Sequence, residues 1–304
     1  MKQLGFLLKR NIKLFFKDKG TFFTSLITPC ILLVLYSTFL AGIYEDSFMA
    51  SIPEPLRHLM SDGIVGGFVG GQLVSSLLAV SAVTVAFGSN MLMVQDKLSG
   101  ARKDLSLTPV QPYIMSLAYF LAALTSTLIV CYTALGLSMI YLAFTGWYLS
   151  LGDCLLLVLD VLLQATLGTA ISSLISYFMS TQGQISAVGS IVSSCYGFIC
   201  GAYMPLSSFS EGLRNALSFF PGTYGTSLLR NHSMRGVFSE MEELGLPESA
   251  VEAIRDGVDC NLYFFGERVG IGAMYLVLTA TVAVVLGTYV LVNYIRIRRR
   301  PQGA

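Results

Sequence analysis

The feature that most narrows what this chain can fold into is the absence of basic residues from its long apolar runs. Lysine and arginine crowd into the segment up to Lys19, a knot holding Lys97, Arg102 and Lys103, and the tail from Arg296 to Arg300. A helix needs about 20 mostly apolar residues to cross the hydrocarbon of a bilayer. Six stretches meet or approach that length: 21–42, 64–93, 112–144, 155–178, 185–203 and 269–294. The expectation is an all-α membrane protein with six transmembrane helices. Composition agrees: 12% of the residues are charged, against about 25% in a water-soluble domain, so the chain cannot clothe itself in a hydrated surface.

The third stretch is longer than a bilayer requires yet too short for two crossings, so it should tilt or protrude. The fourth and fifth form one apolar block, divided only by the polar turn 180–184 (STQGQ). An even number of crossings places both termini on one side, and both are basic, so the positive-inside bias puts them in the cytoplasm. Loop 94–111 is then cytoplasmic. Residues 45–62 and the segment 204–268 lie outside, the latter acid-rich with Glu240, Glu242, Glu243, Glu248, Glu252, Asp256 and Asp259.

Residues 1–20 form a separate element ahead of the membrane domain 21–304. They are expected to stay on the mature chain, because the first apolar run is as long as a full crossing and no small-residue cleavage site follows. At helical spacing, Leu4, Leu7, Leu8, Ile12, Leu14, Phe15 and Phe16 share one face, and Lys2, Lys9, Arg10, Lys13 and Lys17 the other. Such a helix lies flat among lipid headgroups, its cations toward anionic lipid. In the second stretch Gly66 and Gly70, and Gly67 and Gly71, stand four apart, as do Gly197 and Gly201 in the fifth. That spacing lets two helix backbones approach closely, at a subunit interface or within the bundle.

The outer segment has structure of its own. PESAVEAIRDG, residues 247–257, reads as a short helix with proline in its first turn and Gly257 past its end. Phe209, Leu213, Leu217, Phe219 and Phe220 are too apolar for a hydrated loop and suggest a re-entrant hairpin, tolerated in lipid only if helical or buried against protein.

Little in the chain points to bond-making chemistry. The six cysteines (Cys30, Cys131, Cys154, Cys195, Cys200 and Cys260) contain no Cys-x-x-Cys pair, and His58 and His232 have no partner histidine, which argues against a zinc or haem site. Both histidines are expected outside and solvated, and a disulfide between Cys154 and Cys260 stays open. There is no phosphate-cradling G-x-x-x-x-G-K-[ST] loop, no plausible nucleophile–base pair, and no basic face for nucleic acid. Asp160 is the acid placed well inside a stretch, with Gln164 one turn deeper on the same face. A carboxylate at mid-bilayer costs about 2.5–3.5 kcal/mol on insertion scales. It must therefore meet substrate or a coupling ion in a polar patch, or hydrogen-bond a neighbouring helix.

Two stretches carry a family likeness. One is QDKLSGARKDLSLTPVQPY (95–113), whose early acidic residue is Asp96. The other is GAYMPLSSFSEGLRNALSFFPGTYGTSLLRN (201–231), with Gly201, Pro205, Phe209, Pro221, Tyr224 and Arg230 at the family's positions. With the crossings and the flat basic helix, the chain resembles the permease subunits of type-2 ABC exporters, such as prokaryotic multidrug and antimicrobial-peptide systems. The resemblance implies a multi-pass protein of the plasma (inner) membrane that is not itself an enzyme and holds no cofactor. ATP and Mg2+ would belong to a partner ABC ATPase, two copies per complex, and a second permease half, identical or paralogous, would complete the pathway. Loop 94–111 would be the coupling helix, with Asp96, Lys97, Arg102, Lys103 and Asp104 meeting the ATPase, and the 201–231 motif would gate the outer side. The cargo would be amphipathic: a drug, lipid, lipopeptide or peptide. Two other classes compete, namely an ATP-independent secondary transporter or channel using Asp160 as coupling residue, and a membrane enzyme or sensor acting through its outer loop. The secondary transporter lacks a visible inverted repeat, and the outer loop lacks a catalytic set.

Overall fold

The computed structural model describes residues 2–298, and they are helical almost throughout. The basic leader is α1 (Lys2–Lys17). After Asp18 come α2 (Lys19–Leu35), one π-helical turn (Tyr36–Leu40) and α3 (Ala41–Ser51). A 3-10 turn leads to α4 (Asp62–Ser89), α5 (Met91–Leu98), the short α6 (Ala101–Leu107), α7 (Pro112–Thr145), α8 (Leu151–Phe178) and α9 (Gln182–Ile199). Then follow α10 (Glu211–Leu217), α11 (Pro221–Glu243), α12 (Glu248–Gly257), a hairpin of β1 (Leu262–Phe264) and β2 (Glu267–Val269), and α13 (Ile271–Arg298). Residues 299–304, the end of the basic tail, lie outside the described residues.

Among the described residues, five helical rods are long and apolar enough to cross a membrane: 29–51, 62–98, 113–145, 151–178 and 271–295. They correspond to five of the six expected stretches. α9, on the remaining one, has 18 residues and is not among the five. Gln182, Gln184, Ser190, Ser193 and Ser194 dilute its apolar content, and it ends at Ile199 rather than at Tyr203. The turn STQGQ is a helix boundary written in side chains: Thr181 and Gln184 form a reciprocal capping box that opens α9. Past its end, Gly201 adopts φ +74°, the left-handed conformation that glycine enters without strain. Gly197 and Gly201 are therefore not a packing stripe. Gly201 turns the chain, and Gly197 makes room for the ring of Tyr203.

α4 is the axis of the bundle, buried on almost every side against α7, α8, α11 and α2. Its glycines decide how closely these can come. Gly66 and Gly70 face Thr145 and Leu142 of α7, while Gly67 and Gly71 face Val237, Ser233 and Met234 of α11. The four-residue spacing thus serves packing within this chain, with two partners on adjacent sides of one helix.

α11 departs most from expectation. It belongs to segment 204–268, expected outside, yet it is threaded between α4, α8 and α13 with Thr226, Leu228, Arg230, His232 and Met234 buried. Gly225 abuts Gln164, His232 meets Asp160 and Arg235 meets Asp153, so α11 runs antiparallel to α8 from the midpoint of α8 to its N-terminal end. Its polar content hides it from any hydropathy window. For the same reason His232 is not solvated as expected but 3% exposed. α10 and the turn 218–220 lead into α11: Tyr224 donates to the Ser218 carbonyl at 2.7 Å, and Thr223 to that of Leu217 at 3.1 Å. Phe219 and Phe220 stay exposed.

The expected outer helix is α12, with Gly257 as its last residue rather than the next one; Val251 and Ile254 are buried, and Arg255 lies 4.9 Å over the ring of Phe238 on α11. The β-hairpin has no counterpart in the sequence reading. All six cysteines are unpaired, so Cys154 and Cys260 are not joined. α1 has the expected amphipathic face, with Leu7 and Phe15 buried, but it packs along the first half of α7 and so is docked on the bundle.

The glycine contacts make a direct test. A Cβ at Gly66 would run into the backbone carbonyl of Thr145, whereas Gly136 has open space. Gly66→Ala should destabilise the purified protein by about 1–3 kcal/mol and Gly136→Ala by less than about 0.5 kcal/mol. Thermal unfolding in detergent measures both; equal losses would count against this packing.

Candidate functional site

Two polar clusters lie at opposite ends of the bundle. The first is built around α5. Arg10 of α1 grips Asp96 with both guanidinium nitrogens, at 2.6 and 3.2 Å, and the Tyr119 hydroxyl donates to the same carboxylate at 2.6 Å. Asp96 is buried, and its carboxylate drives the Arg10 guanidinium further up from its usual value. The next residue, Lys97, points elsewhere. Its ammonium donates to the carbonyls of Ser176, Tyr177 and Met179 at 2.9, 2.7 and 3.0 Å. These belong to the end of α8, where helix carbonyls lack partners and the macrodipole favours a cation.

Gly100, at φ +84°, then turns the chain into α6. α6 buries none of its residues, and Lys103, Asp104 and Leu107 are exposed, Leu107 to 87%. Arg102 lies between the two regimes, its guanidinium 6.0 Å from the Tyr177 ring centre. Of the five residues expected to meet an ATPase, Lys103 and Asp104 stand on the presented surface, while Asp96 and Lys97 are turned into the bundle. Arg10 and Tyr119 join the cluster without having been singled out by the sequence. The signal for Arg10 was its place beside Asn11 at the edge of the apolar face, where a cation has to find a partner.

The second cluster joins α8, α11 and α13. Asp160 is fully buried; one oxygen lies 2.5 Å from Nδ1 of His232 and the other accepts from the Tyr275 hydroxyl at 2.6 Å. The rings of His232 and Tyr275 stack at 6.3 Å and 25°. Gln164, also buried, packs on Gly225 and donates to the Gly222 carbonyl at 3.4 Å. Both residues thus meet neighbouring helices. The partners of Asp160 are a histidine and a tyrosine, which no local pattern could reveal, since they stand 72 and 115 residues away.

Nearby, the 201–231 motif converges on one residue outside it. Arg230, buried completely, donates to Asp259 at 3.1 Å and to the Gly201 carbonyl at 2.5 Å. Asp259 in turn accepts the backbone N–H groups of Leu206 and Ser207 at 2.6 and 3.2 Å, just after Pro205. Gly201, Pro205 and Arg230 are therefore brought together by Asp259. Phe209 and Tyr224 share an apolar cluster with Leu206 and Leu217, and Pro221 opens α11 in its first turn, where its missing N–H costs nothing.

Long apolar rods, a polar helix buried among them and a short helix offered at one end make this an all-α membrane protein. The chain belongs to the ABC-2 family of transporter proteins: the family's sequence model matches residues 60–289, from just before α4 into α13. It is thus the permease-type membrane component of an ABC transporter, a kind of subunit that works with an ABC ATPase. No curated protein matches the chain.

Removing one partner of a buried ion pair strands the other charge. Arg230→Ala should therefore destabilise the protein by about 3–5 kcal/mol, and Tyr275→Phe, which removes one hydrogen bond, by about 1 kcal/mol. Thermal denaturation in detergent ranks them; a reversed order would contradict the roles assigned to Arg230 and Tyr275.

Proposed function

We propose that this chain is the membrane half of an ATP-driven exporter that moves an amphipathic cargo outward. A drug-like compound, lipid, lipopeptide or peptide suits the sparse charge of the bundle. Power comes from a separate ABC ATPase, two copies per complex, which binds ATP and Mg2+. A second permease half, identical or paralogous, faces this one. On this reading α9 and the re-entrant α10–α11 supply the sixth crossing, both termini are cytoplasmic, and the protein sits in the plasma (inner) membrane.

The observation that carries the reading is α6. A seven-residue helix with no fully buried residue, touching the bundle through Leu105 and Arg102 and presenting Lys103, Asp104 and Leu107 outward, sits on a base held by Asp96 and Lys97. Docked in a groove of an ATPase, it is a compact handle. Arg102, Lys103 and Asp104 supply the polar contacts and Leu107 an apolar one. The Arg230–Asp259 clasp and α11 would hold the outer gate. An ATP-independent transporter would need Asp160 to open to water, and its carboxylate is enclosed by His232 and Tyr275.

Tagged chain extracted in mild detergent should bring down an ABC ATPase. The double variant Arg102→Glu with Lys103→Glu should lower recovery of that ATPase about tenfold or more, as expected when charges at an interface are made to repel. Undiminished recovery and undiminished ATPase activity would refute α6 as the docking element. Cysteines placed at Lys103 and at Arg298 should both react with impermeant maleimide only from the cytoplasmic side; labelling from opposite sides would overturn the topology.

A further inference from the structure

We propose that the tip of the β-hairpin is a lipid-binding wedge: Phe264 and Phe265, with Phe219 from the turn before α11, enter the hydrocarbon of the adjacent leaflet and pin the hairpin to it. The register pairs Phe264 with Glu267, which leaves Phe265 and Gly266 as a two-residue turn. Both take positive φ, +50° and +89°. Asn-Gly is the usual occupant of such a turn, and a bulky side chain in the left-handed region is strained. Nothing inside the chain accounts for a phenylalanine there, since its ring is 61% exposed. It packs edge-to-face on Phe264, ring centres 4.9 Å apart, and both rings meet Phe219, at 5.2 and 6.0 Å. Phe219 is itself 65% exposed, and Phe220 beside it is exposed as well.

The rest of the hairpin shows why lipid is the occupant. Successive residues of a strand face opposite ways. On one face Tyr263 donates to Asp256 at 3.1 Å, while Arg268 donates to the Asn261 side chain at 2.6 Å and pairs with Glu252 at 3.5 Å. On the other, Leu262 and Val269 join the apolar cluster of Leu217 and Met274, and Phe264 carries that face on to the tip. Polar groups are thus turned toward α12 and rings toward the open side, the division found at a membrane–water boundary. The level fits. The crossing rod 271–295 begins two residues after β2, and Ile271 and Leu276 in its first turns are exposed. Glu267, exposed opposite Phe264, sets the depth: its carboxylate stays among the headgroups while the rings reach below them. The wedge requires only that α13 cross a bilayer, so it stands apart from the exporter reading.

The test uses the full chain reconstituted in phosphatidylcholine vesicles, with and without bromine midway along one acyl chain. Trp147, the sole tryptophan, is replaced by phenylalanine, and the reporter is Phe265→Trp, or Phe219→Trp if that variant does not fold. The reporter should lose about half or more of its emission in brominated vesicles, as expected of a ring seated ~5–10 Å into the headgroup–acyl boundary, and should resist aqueous iodide. Ser249→Trp, on the exposed side of α12, should behave the opposite way. Phe265→Asn, which suits the positive φ, should fold and should lower the quenching of the Phe219→Trp reporter by brominated chains about twofold. A reporter at 265 that iodide quenches as strongly as one at 249, and brominated lipid does not, overturns the proposal. So does a reporter shielded from both quenchers, which would put protein, such as a second copy of this chain, over the tip. Quenching at 219 that survives Phe265→Asn in full overturns it as well.

Discussion

Everything in the half of this bundle that holds α11 depends on a polar helix being made acceptable inside an apolar one. Buried backbone and side-chain polar groups are tolerated among lipid-facing helices only when each finds a partner. α11 meets that demand with long-range pairs rather than with its own sequence: Arg230 with Asp259, His232 with Asp160, Ser233 with the Gly71 carbonyl and Arg235 with Asp153. Because the partners come from α8, α4 and the strand-leading loop, α11 orders all of them in turn. The Asp259 carboxylate serves twice. It neutralises a guanidinium and fixes the turn after Pro205.

The glycines of α4 make that arrangement sterically possible. With Gly66 and Gly70 toward α7 and Gly67 and Gly71 toward α11, one helix surface admits two close neighbours about a quarter-turn apart. Larger residues there would push α11 outward and pull His232 off Asp160. Packing and polar satisfaction are therefore not separate contributions in this fold.

What could be read from the residues follows the physics of each element. The apolar rods announced themselves because lipid selects strongly for uninterrupted hydropathy, and α1 and α12 because amphipathic spacing is local. The 201–231 motif was visible as a likeness, though not as a convergence on Asp259. α11 was invisible as a buried helix, since it has neither an apolar run nor a clean stripe; its burial follows from partners up to 162 residues distant. Asp160 was recognisable as an anomaly, but His232 looked like a loop histidine. In segment 94–111 the residues point in directions that their spacing did not reveal. Helical phase separates Asp96 and Lys97 from Lys103 and Asp104, and a seven-residue helix after a left-handed glycine has no phase that sequence can extrapolate.

The return of the chain at Asp259 has a practical corollary. The tract between α9 and α13 leaves the bundle, re-enters as α11 and is stitched back by residues 259–262 under that same helix. It is no detachable lid. A chimera that borrows this tract from another permease must bring matching side chains on α8 and α13 with it, or it will inherit a histidine without Asp160 and Tyr275 and an arginine at 235 without Asp153.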